Sequence, residues 1–273
     1  MQGSADAREP VRPALRPVPT PGLDPVETER RRQRLQQTWD SALPLTEQGA
    51  ALARQYLAGR GLSVSAYPAV LRFHPRLPYY TAERQRLGEF PALLALMVAA
   101  DGQPVTLHRT YLTPAGGKLE LPAPNKAKKL MAYPADRTLS GGAIRLFPAQ
   151  GPLLSVAEGI ETALAVRQGV PWIPAWAAGS ATLLRQLQPP VGVQGILIWA
   201  DQDPPAAKGK QAGQEAADEL KRRLLPKGIR VFILIPPAGR VTRSDKVDWL
   251  DVLNCAGAVA LRSAVQASGL AVP

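Results

Sequence analysis

The chain has little cysteine and no long apolar run. Cys255 is its single cysteine among 273 residues, which excludes a fold held together by intrachain disulfide bonds and is typical of a reducing cytoplasm. There is no secretory h-region, and the longest apolar runs are interrupted well before the length of a membrane span. These absences predict a soluble, cytoplasmic protein with no membrane association.

Positive charge is abundant. Lys and Arg number 33 against 22 Asp and Glu, for a formal net charge of +11. Such an excess fits a polyanionic partner such as nucleic acid, although a basic surface can also serve only to keep a protein soluble. Hydrophobic residues make up 45% of the chain, enough for a sizeable core in one or two domains.

Composition divides the chain into three parts. Residues 1–25 are rich in Pro and Arg and predict a disordered arm, whose arginines either contact nucleic acid or remain solvated. Residues 26–150 predict a smaller, basic α+β domain. Residues 151–273 predict an α/β domain, because strand and helix patterns alternate there.

The α+β part is predicted from periodicity and turn signals. Helical periodicity covers residues 26–39 and 46–59. Asp101-Gly102 separates two apolar runs and predicts a hairpin of strands 92–100 and 104–112. A loop containing Pro75 and Pro78 is expected after residue 73, and a third strand over 143–147.

The second part predicts a doubly wound parallel sheet, since its strands read as continuous apolar runs. The predicted strands are residues 153–157, 172–177, 195–200 and 230–235. The predicted helices are residues 160–168, 180–187, 211–225 and 256–267.

Carboxylates follow two of these strands directly. Glu158 ends the first, and Asp201 and Asp203 follow the third. Open α/β sheets bind ligands at the carboxyl ends of their strands, and acids that meet there repel one another unless a cation neutralises them. Hard oxygen donors suit Mg²⁺, which binds one or two carboxylates together with substrate phosphates. The pattern therefore predicts a metal-dependent enzyme that acts on phosphates.

Further acids leave alternatives open. Glu161, in the first turn of the following helix, either caps that helix or approaches the metal. Asp248 and Asp251 either complete the acidic patch or, for Asp248, cap a helix.

Basic residues are candidates for contact with nucleic acid or nucleotide, the alternative being a solvated charged face. Most fall between the predicted strands of the first part, and two precede a long helix whose N-terminus would attract phosphate. The candidates are Arg109, Lys118, Lys126, Lys128, Lys129, Arg145, Lys208 and Lys210. His74 and His108 are not spaced as a metal pair, and each is interpreted as structural or as a phosphate contact.

Four segments resemble the Toprim domain, particularly that of DnaG-type primases from phages, plasmids and integrative elements. The segments are AEGIETALA (157–165), IWADQD (198–203), GQEAA (213–217) and VDWLDVL (247–253). The resemblance implies a mainly parallel four-stranded sheet flanked by helices. It also implies catalysis by Glu158, Asp201 and Asp203, and Mg²⁺ or Mn²⁺ bound by these three acids with Asp248 and Asp251. Leu250 departs from the family, which usually has Asn at this position.

Segments before residue 150 resemble the domain that commonly precedes Toprim in those proteins. They are GRGL (59–62), LRFHP (71–75), LHRTYL (107–112) and SGGAIRL (140–146). The resemblance implies a primase that makes short RNA primers from NTPs on single-stranded DNA during replication of a mobile element. A Toprim nuclease and a non-catalytic single-stranded-DNA-binding accessory protein remain alternatives.

Two family features are missing. One Cys and two His cannot build the zinc module that such primases often carry, so no zinc is expected. No GxxxxGK[ST] P-loop is present, so no helicase motor is fused within this chain. Template recognition would then come from the basic arm, from a helicase or recognition protein supplied in trans, or from a part outside this chain.

Overall fold

The computed structural model describes residues 24–202, 212–237 and 247–270. Its first half contains two helices and an antiparallel sheet. The helices are α1 (Pro25–Asp40) and α2 (Ala51–Gly59). The strands are β1 (Leu43–Pro44), β2 (Leu71–Tyr80), β3 (Arg86–Val98), β4 (Pro104–Tyr111) and β5 (Lys128–Leu130), which lie side by side in chain order.

The predicted loop at Pro75 and Pro78 is wrong, because both residues lie within β2. Proline cannot donate a ladder hydrogen bond, so it is confined to edges and bulges. Here β1 pairs only with Arg72 and Phe73, so among the described residues the rest of that side of β2 has no neighbouring strand. On its other side the register with β3 shifts between His74 and Leu77, and Pro75 lies within that irregularity.

The hairpin predicted at Asp101-Gly102 is confirmed. β3 and β4 pair antiparallel from Ala92↔Tyr111 to Val98↔Pro104. Gly102 has φ +85°, a value that glycine adopts without steric cost. The Asp101 carboxylate accepts a hydrogen bond from the Gln103 N–H, which closes the turn.

The second half is the predicted doubly wound parallel sheet. Its strands are β6 (Leu153–Ala157), β7 (Ala175–Ala177), β8 (Gly195–Trp199) and β9 (Arg230–Leu234), and every pair in the order β7-β6-β8-β9 is parallel. Its helices are α3 (Ile160–Gly169), α4 (Ala181–Gln186), α5 (Ala212–Leu224) and α6 (Trp249–Ala267). β8 is buried along its whole length, which explains its uninterrupted apolar run.

The predicted start of the last helix is wrong. Helix α6 begins at Trp249 rather than at residue 256, because Asp248 forms its N-cap. Gly257 has a positive φ and makes a kink inside α6. The predicted helix, residues 256–267, matches the part of α6 from this kink to its end.

The predicted strand 143–147 is instead a two-residue connection between the sheets. Ala143 bridges to Val98 at the end of β3, and Ile144 bridges to Ala177 in β7. One apolar core is continuous through both halves and includes Leu93, Ile144 and Trp176. Within the three described segments, no helix is both long and apolar enough to cross a membrane.

Candidate active site

The order of the parallel sheet brings two predicted acids to one edge. The strand order reverses between β6 and β8, the position at which open α/β sheets leave a crevice for ligands. Ala157 pairs with Trp199. Glu158 lies one residue beyond the end of β6, and Asp201 lies two residues beyond the end of β8. Both side chains therefore leave the same end of neighbouring strands.

A cavity of about 850 Å³ opens at this edge. Its walls come from both halves of the molecule: helix α2, the loop before β5, strands β4 and β5, and the ends of β6 and β8. The charged residues and the histidine in its lining are Arg60, His108, Lys118, Glu120, Lys128, Glu158, Glu161, Asp201 and Asp248. Acidic and basic groups thus share one open space.

The donor chemistry of the acidic wall fits Mg²⁺ or Mn²⁺. Glu158, Asp201 and Asp248 line the cavity, whereas Asp203 lies outside the described residues, as do Lys208 and Lys210. In the part of the chain that the structure describes, no three His, Cys, Asp or Glu side chains are grouped closely enough to hold a metal by themselves. Mg²⁺ is commonly bound by one or two protein carboxylates completed by substrate phosphates.

Asp248 and Asp251 form a capping box at the start of α6. The Asp248 carboxylate accepts the Asp251 N–H at 2.9 Å, and the Asp251 carboxylate accepts the Asp248 N–H at 3.0 Å. Burial is the largest cause that raises the pKa of Asp248, and the negative charge of the adjacent Asp251 acts in the same direction. Asp248 also lines the cavity, but Asp251 does not. The contacts of Asp251 therefore show a role in stabilising the start of the helix.

Glu161 lines the same cavity as Glu158 and Asp201, and its side chain is held by two residues of the first half of the molecule. Its carboxylate accepts hydrogen bonds from the Tyr56 hydroxyl at 2.6 Å and from the Lys128 ammonium at 2.8 Å. Burial alone would raise the pKa of Glu161, but the charge of Lys128 and both hydrogen bonds outweigh it and lower the pKa to about 2. Burial is the largest cause that raises the pKa of Tyr56, and the negative charge of Glu161 is the second.

This contact joins the two halves of the molecule across the cavity, and sequence reasoning missed it. Glu161 is 6% exposed in helix α3, where residues 160–166 are all buried. A carboxylate in a buried, mostly apolar stretch of helix needs a cationic or hydrogen-bonding partner. A carboxylate within an apolar sequence pattern therefore indicates a buried, paired side chain, but the sequence alone does not identify the partner.

The six predicted basic residues that the structure describes fall into three groups. Lys118 and Lys128 line the cavity, together with Arg60, which was not predicted. Lys126 is exposed outside the cavity lining. The other three pack on aromatic rings: Arg109 on Tyr111 at 5.7 Å, Lys129 on Tyr79 at 4.7 Å and Arg145 on Trp176 at 4.6 Å.

All three of these cations also donate to backbone carbonyls, and Lys129 donates to the Tyr80 carbonyl at 2.5 Å. Arg109 donates to the Leu130 carbonyl at 2.7 Å, and Arg145 to the Ala100 carbonyl at 2.8 Å. Burial lowers the pKa of both guanidinium groups. Both side chains thus have internal partners in addition to any ligand they bind.

His108 lies in the cavity wall and is 6% exposed. Burial lowers its pKa to about 4, and the neighbouring Lys128 charge acts in the same direction. The imidazole is therefore neutral at pH 7. Its Nδ1 has no hydrogen-bond partner among the described residues.

Two family models match the chain. Residues 153–258 match the Toprim domain, and residues 29–146 match a domain of unknown function, DUF7146. No curated protein gave a match. The chain carries a Toprim domain and resembles the catalytic cores of DnaG-type primases.

Solved structures show the same fold at low identity. A DnaG primase catalytic domain bound to single-stranded DNA is 18% identical with a TM-score of 0.54, covering 88% of this chain and 82% of that one. The RNA polymerase domain of Mycobacterium tuberculosis DnaG is 17% identical with a TM-score of 0.51, covering 89% and 83%. A DNA primase domain from Pseudomonas aeruginosa is 19% identical with a TM-score of 0.51, covering 90% and 78%.

Proposed function

We propose that this chain is a primase-like nucleotidyltransferase that makes short RNA primers from NTPs on single-stranded DNA. One observation carries the proposal: Glu158 and Asp201 face the same cavity as Lys118, Lys128 and Arg60. Nucleotidyl transfer needs acids for a metal and cations for phosphates in one space. The primase-core fold places that space between the two halves of the chain.

Glu158, Asp201 and Asp203 are the proposed metal-binding and catalytic acids, with Asp248 beside them in the cavity. Bound Mg²⁺ or Mn²⁺ would neutralise the charge that develops on the phosphoryl oxygens. Lys118 and Lys128 would bind the triphosphate as point charges, and Lys208 and Lys210 are proposed for the same ligand. Lys126, exposed next to the cavity wall, would contact the template backbone.

The proposed setting is the cytoplasm, in replication of a mobile element, because the sequence motifs resemble primases of phages, plasmids and integrative elements. A helicase or template-recognition protein supplied in trans would direct the enzyme to its template.

The test is primer synthesis on single-stranded DNA with labelled NTPs and Mg²⁺ or Mn²⁺. Wild type should yield short RNA products, and Asp201→Ala should reduce them by at least about a hundredfold, as expected when a group that stabilises transition-state charge is lost. Asp218→Asn is the matched control, because it removes an exposed carboxylate from α5 and should leave synthesis unchanged.

Other outcomes would favour the alternatives. Cleavage of the DNA that also requires Asp201 would replace the primase with a Toprim nuclease. Equal DNA binding by wild type and Asp201→Ala, with neither synthesis nor cleavage, would favour the binding accessory.

A further inference from the structure

Helix α2 contributes several residues to the wall of the cavity. They are Gln55, Tyr56, Gly59 and Arg60. Successive residues of a helix point in different directions, because about 3.6 residues make one turn. Gln55 is exposed and Tyr56 is 3% exposed. These neighbours accordingly have different partners: Tyr56 contacts the Toprim half, and Gln55 contacts the turn at residues 113–118.

Tyr56 acts on Lys128 through Glu161. The Tyr56 hydroxyl donates to Glu161 Oε1 at 2.6 Å, and the Lys128 ammonium donates to Glu161 Oε2 at 2.8 Å. The Glu161 side chain is 8% exposed whereas that of Lys128 is 41% exposed. The carboxylate is therefore enclosed by protein, while the ammonium reaches the open cavity. An ammonium has three N–H donors, so the contact with Glu161 leaves two for a ligand.

Gln55 holds the turn that carries Lys118. The Gln55 amide donates to the Ala115 carbonyl at 3.3 Å. Gly116 has φ +78°, and a Cβ at this position would lie 3.0 Å from Gln55 Cδ, so the turn packs directly on the glutamine. Lys118 closes the turn by bridging to Leu112 and is exposed in the cavity wall. Both cavity lysines thus depend on contacts made by α2.

We propose that Tyr56 and Gln55 are positioning residues that hold Lys128 and Lys118 in place for the phosphates of the incoming nucleotide. The inference rests on the proposed function, because it takes the ligand of the cavity to be an NTP. A lysine on its flexible stem loses rotamer entropy when a phosphate fixes it. Contacts that restrict the lysine or its backbone beforehand reduce that loss, so they strengthen phosphate binding through the lysine.

The test measures ATP affinity by equilibrium dialysis with Mg²⁺, together with the kinetics of primer synthesis. Tyr56→Phe removes one hydroxyl, keeps the ring and changes no charge, and should raise the Kd for ATP about fivefold. Gln55→Met should raise it about twofold, because its hydrogen bond is longer. In synthesis the KM for NTPs should rise by the same factors while kcat is nearly unchanged, as expected when binding alone is weakened.

Double-mutant cycles distinguish positioning from a general effect on the fold. If Tyr56 acts through the lysine, Tyr56→Phe should cost no further ATP affinity in a Lys128→Met background. Gln55→Met should likewise cost nothing further in a Lys118→Met background. A loss of ATP affinity that persists in full in both lysine variants would overturn the proposal.

A second probe covers the case in which Lys128→Met fails to fold, since that variant leaves the Glu161 carboxylate buried without its cation. Inorganic tripolyphosphate carries phosphates but no sugar or base, and it should compete with ATP for the wild-type cavity. Tyr56→Phe should weaken tripolyphosphate by the same factor as ATP. Failure of tripolyphosphate to compete, or an undiminished affinity for it in Tyr56→Phe, would overturn the proposal.

Matched controls remove the same groups outside the cavity lining. Tyr67→Phe deletes the hydroxyl of a partly buried tyrosine, and Gln37→Met replaces an exposed glutamine of α1. Both should leave the Kd for ATP unchanged. An equal loss of ATP affinity in Tyr67→Phe and Tyr56→Phe would overturn the proposal.

The remaining outcomes separate this inference from the proposed function. An unchanged ATP affinity in Tyr56→Phe overturns the inference even if primers are made. A loss of ATP affinity that acts through the two lysines, without any primer synthesis, supports the inference and rejects the primase. Absence of ATP binding by the wild-type protein rejects both.

Discussion

At the scale of single residues, the Glu161 side chain connects the two walls of the cavity. Its carboxylate is buried, yet it stays ionised because Lys128 and Tyr56 both donate to it. It lies three residues after Glu158, on the first turn of α3. The contact therefore fixes the start of that helix, and with it the backbone that carries the proposed catalytic acid.

Replacing Glu161 should change the dependence of stability on pH. The folded-state pKa of Glu161, about 2, lies below the ordinary value of 4.5. Its stabilisation is thus fully present above about pH 4.5 and is lost as the pH falls toward 2. Glu161→Gln should lower the free energy of unfolding by about 2 kcal/mol at pH 7 and flatten its slope between pH 4.5 and 2.

Urea unfolding followed by circular dichroism at several pH values measures both quantities. The matched control is Glu120→Gln, which removes an exposed carboxylate from the same cavity and should leave the acid slope in place. An unchanged slope in Glu161→Gln would show that the Lys128 contact does not stabilise the fold.

At the scale of elements, the end of helix α2 is held against α6. The Asn254 amide donates to the Arg60 carbonyl at 3.2 Å. Gly61 follows with φ +79°, and a Cβ there would meet Asn254 Oδ1 at 2.0 Å. The turn after α2 therefore depends on glycine for both its backbone conformation and its space, and this turn carries Arg60 into the cavity wall.

Two glycines of this turn should respond in opposite directions. Gly61→Ala should destabilise the protein by about 1–2 kcal/mol, because it forces an alanine into the left-handed region and displaces Asn254. Gly59→Ala should stabilise it by about 0.5 kcal/mol, because that residue ends α2, no atom of the described residues lies within 4 Å of a new Cβ, and alanine is the better helix former. Thermal unfolding of both variants provides the comparison, and a Gly61→Ala protein as stable as wild type would contradict this account of the turn.

At the scale of the whole molecule, the two sheets behave as parts of one core. Ala143 bridges to β3 and the adjacent Ile144 bridges to β7, so two consecutive residues link the antiparallel sheet to the parallel one. The Tyr56–Glu161–Lys128 contact links the same two halves at the cavity. The proposed active site thus needs both halves in fixed relation, since its acids come from one and most of its cations from the other.

Unfolding should therefore be a single transition. Trp fluorescence and far-ultraviolet circular dichroism should give coincident urea curves, because both sheets lose the same core together. Ile144→Ala should lower the shared midpoint with a cost of about 2–4 kcal/mol, since Ile144 is 0% exposed. Two separate transitions in wild type would show that the halves fold independently.

Much of the parallel sheet was predictable, because its information is local. Continuous apolar runs that end at Glu158 and Asp201 predict buried strands with acids at their carboxyl ends, and the structure places both beside one cavity. The Asp-Gly turn likewise depends on neighbouring residues alone. Strand β2 was missed because proline is tolerated in a strand only at an edge or a bulge. Among the described residues β2 provides both, an edge beyond the two residues paired with β1 and a register shift at Pro75, and both are properties of the sheet.

The sequence by itself therefore determined the strand and helix pattern of the Toprim half and the identity of its two described edge acids. Only the tertiary structure decided which cations reach those acids. Lys128 lies in the cavity whereas adjacent Lys129 packs on Tyr79, because successive strand residues face opposite sides. Glu161 is ionised and His108 neutral for a related reason: the pKa of a buried group depends on partners that are distant in the chain and meet only in the folded protein.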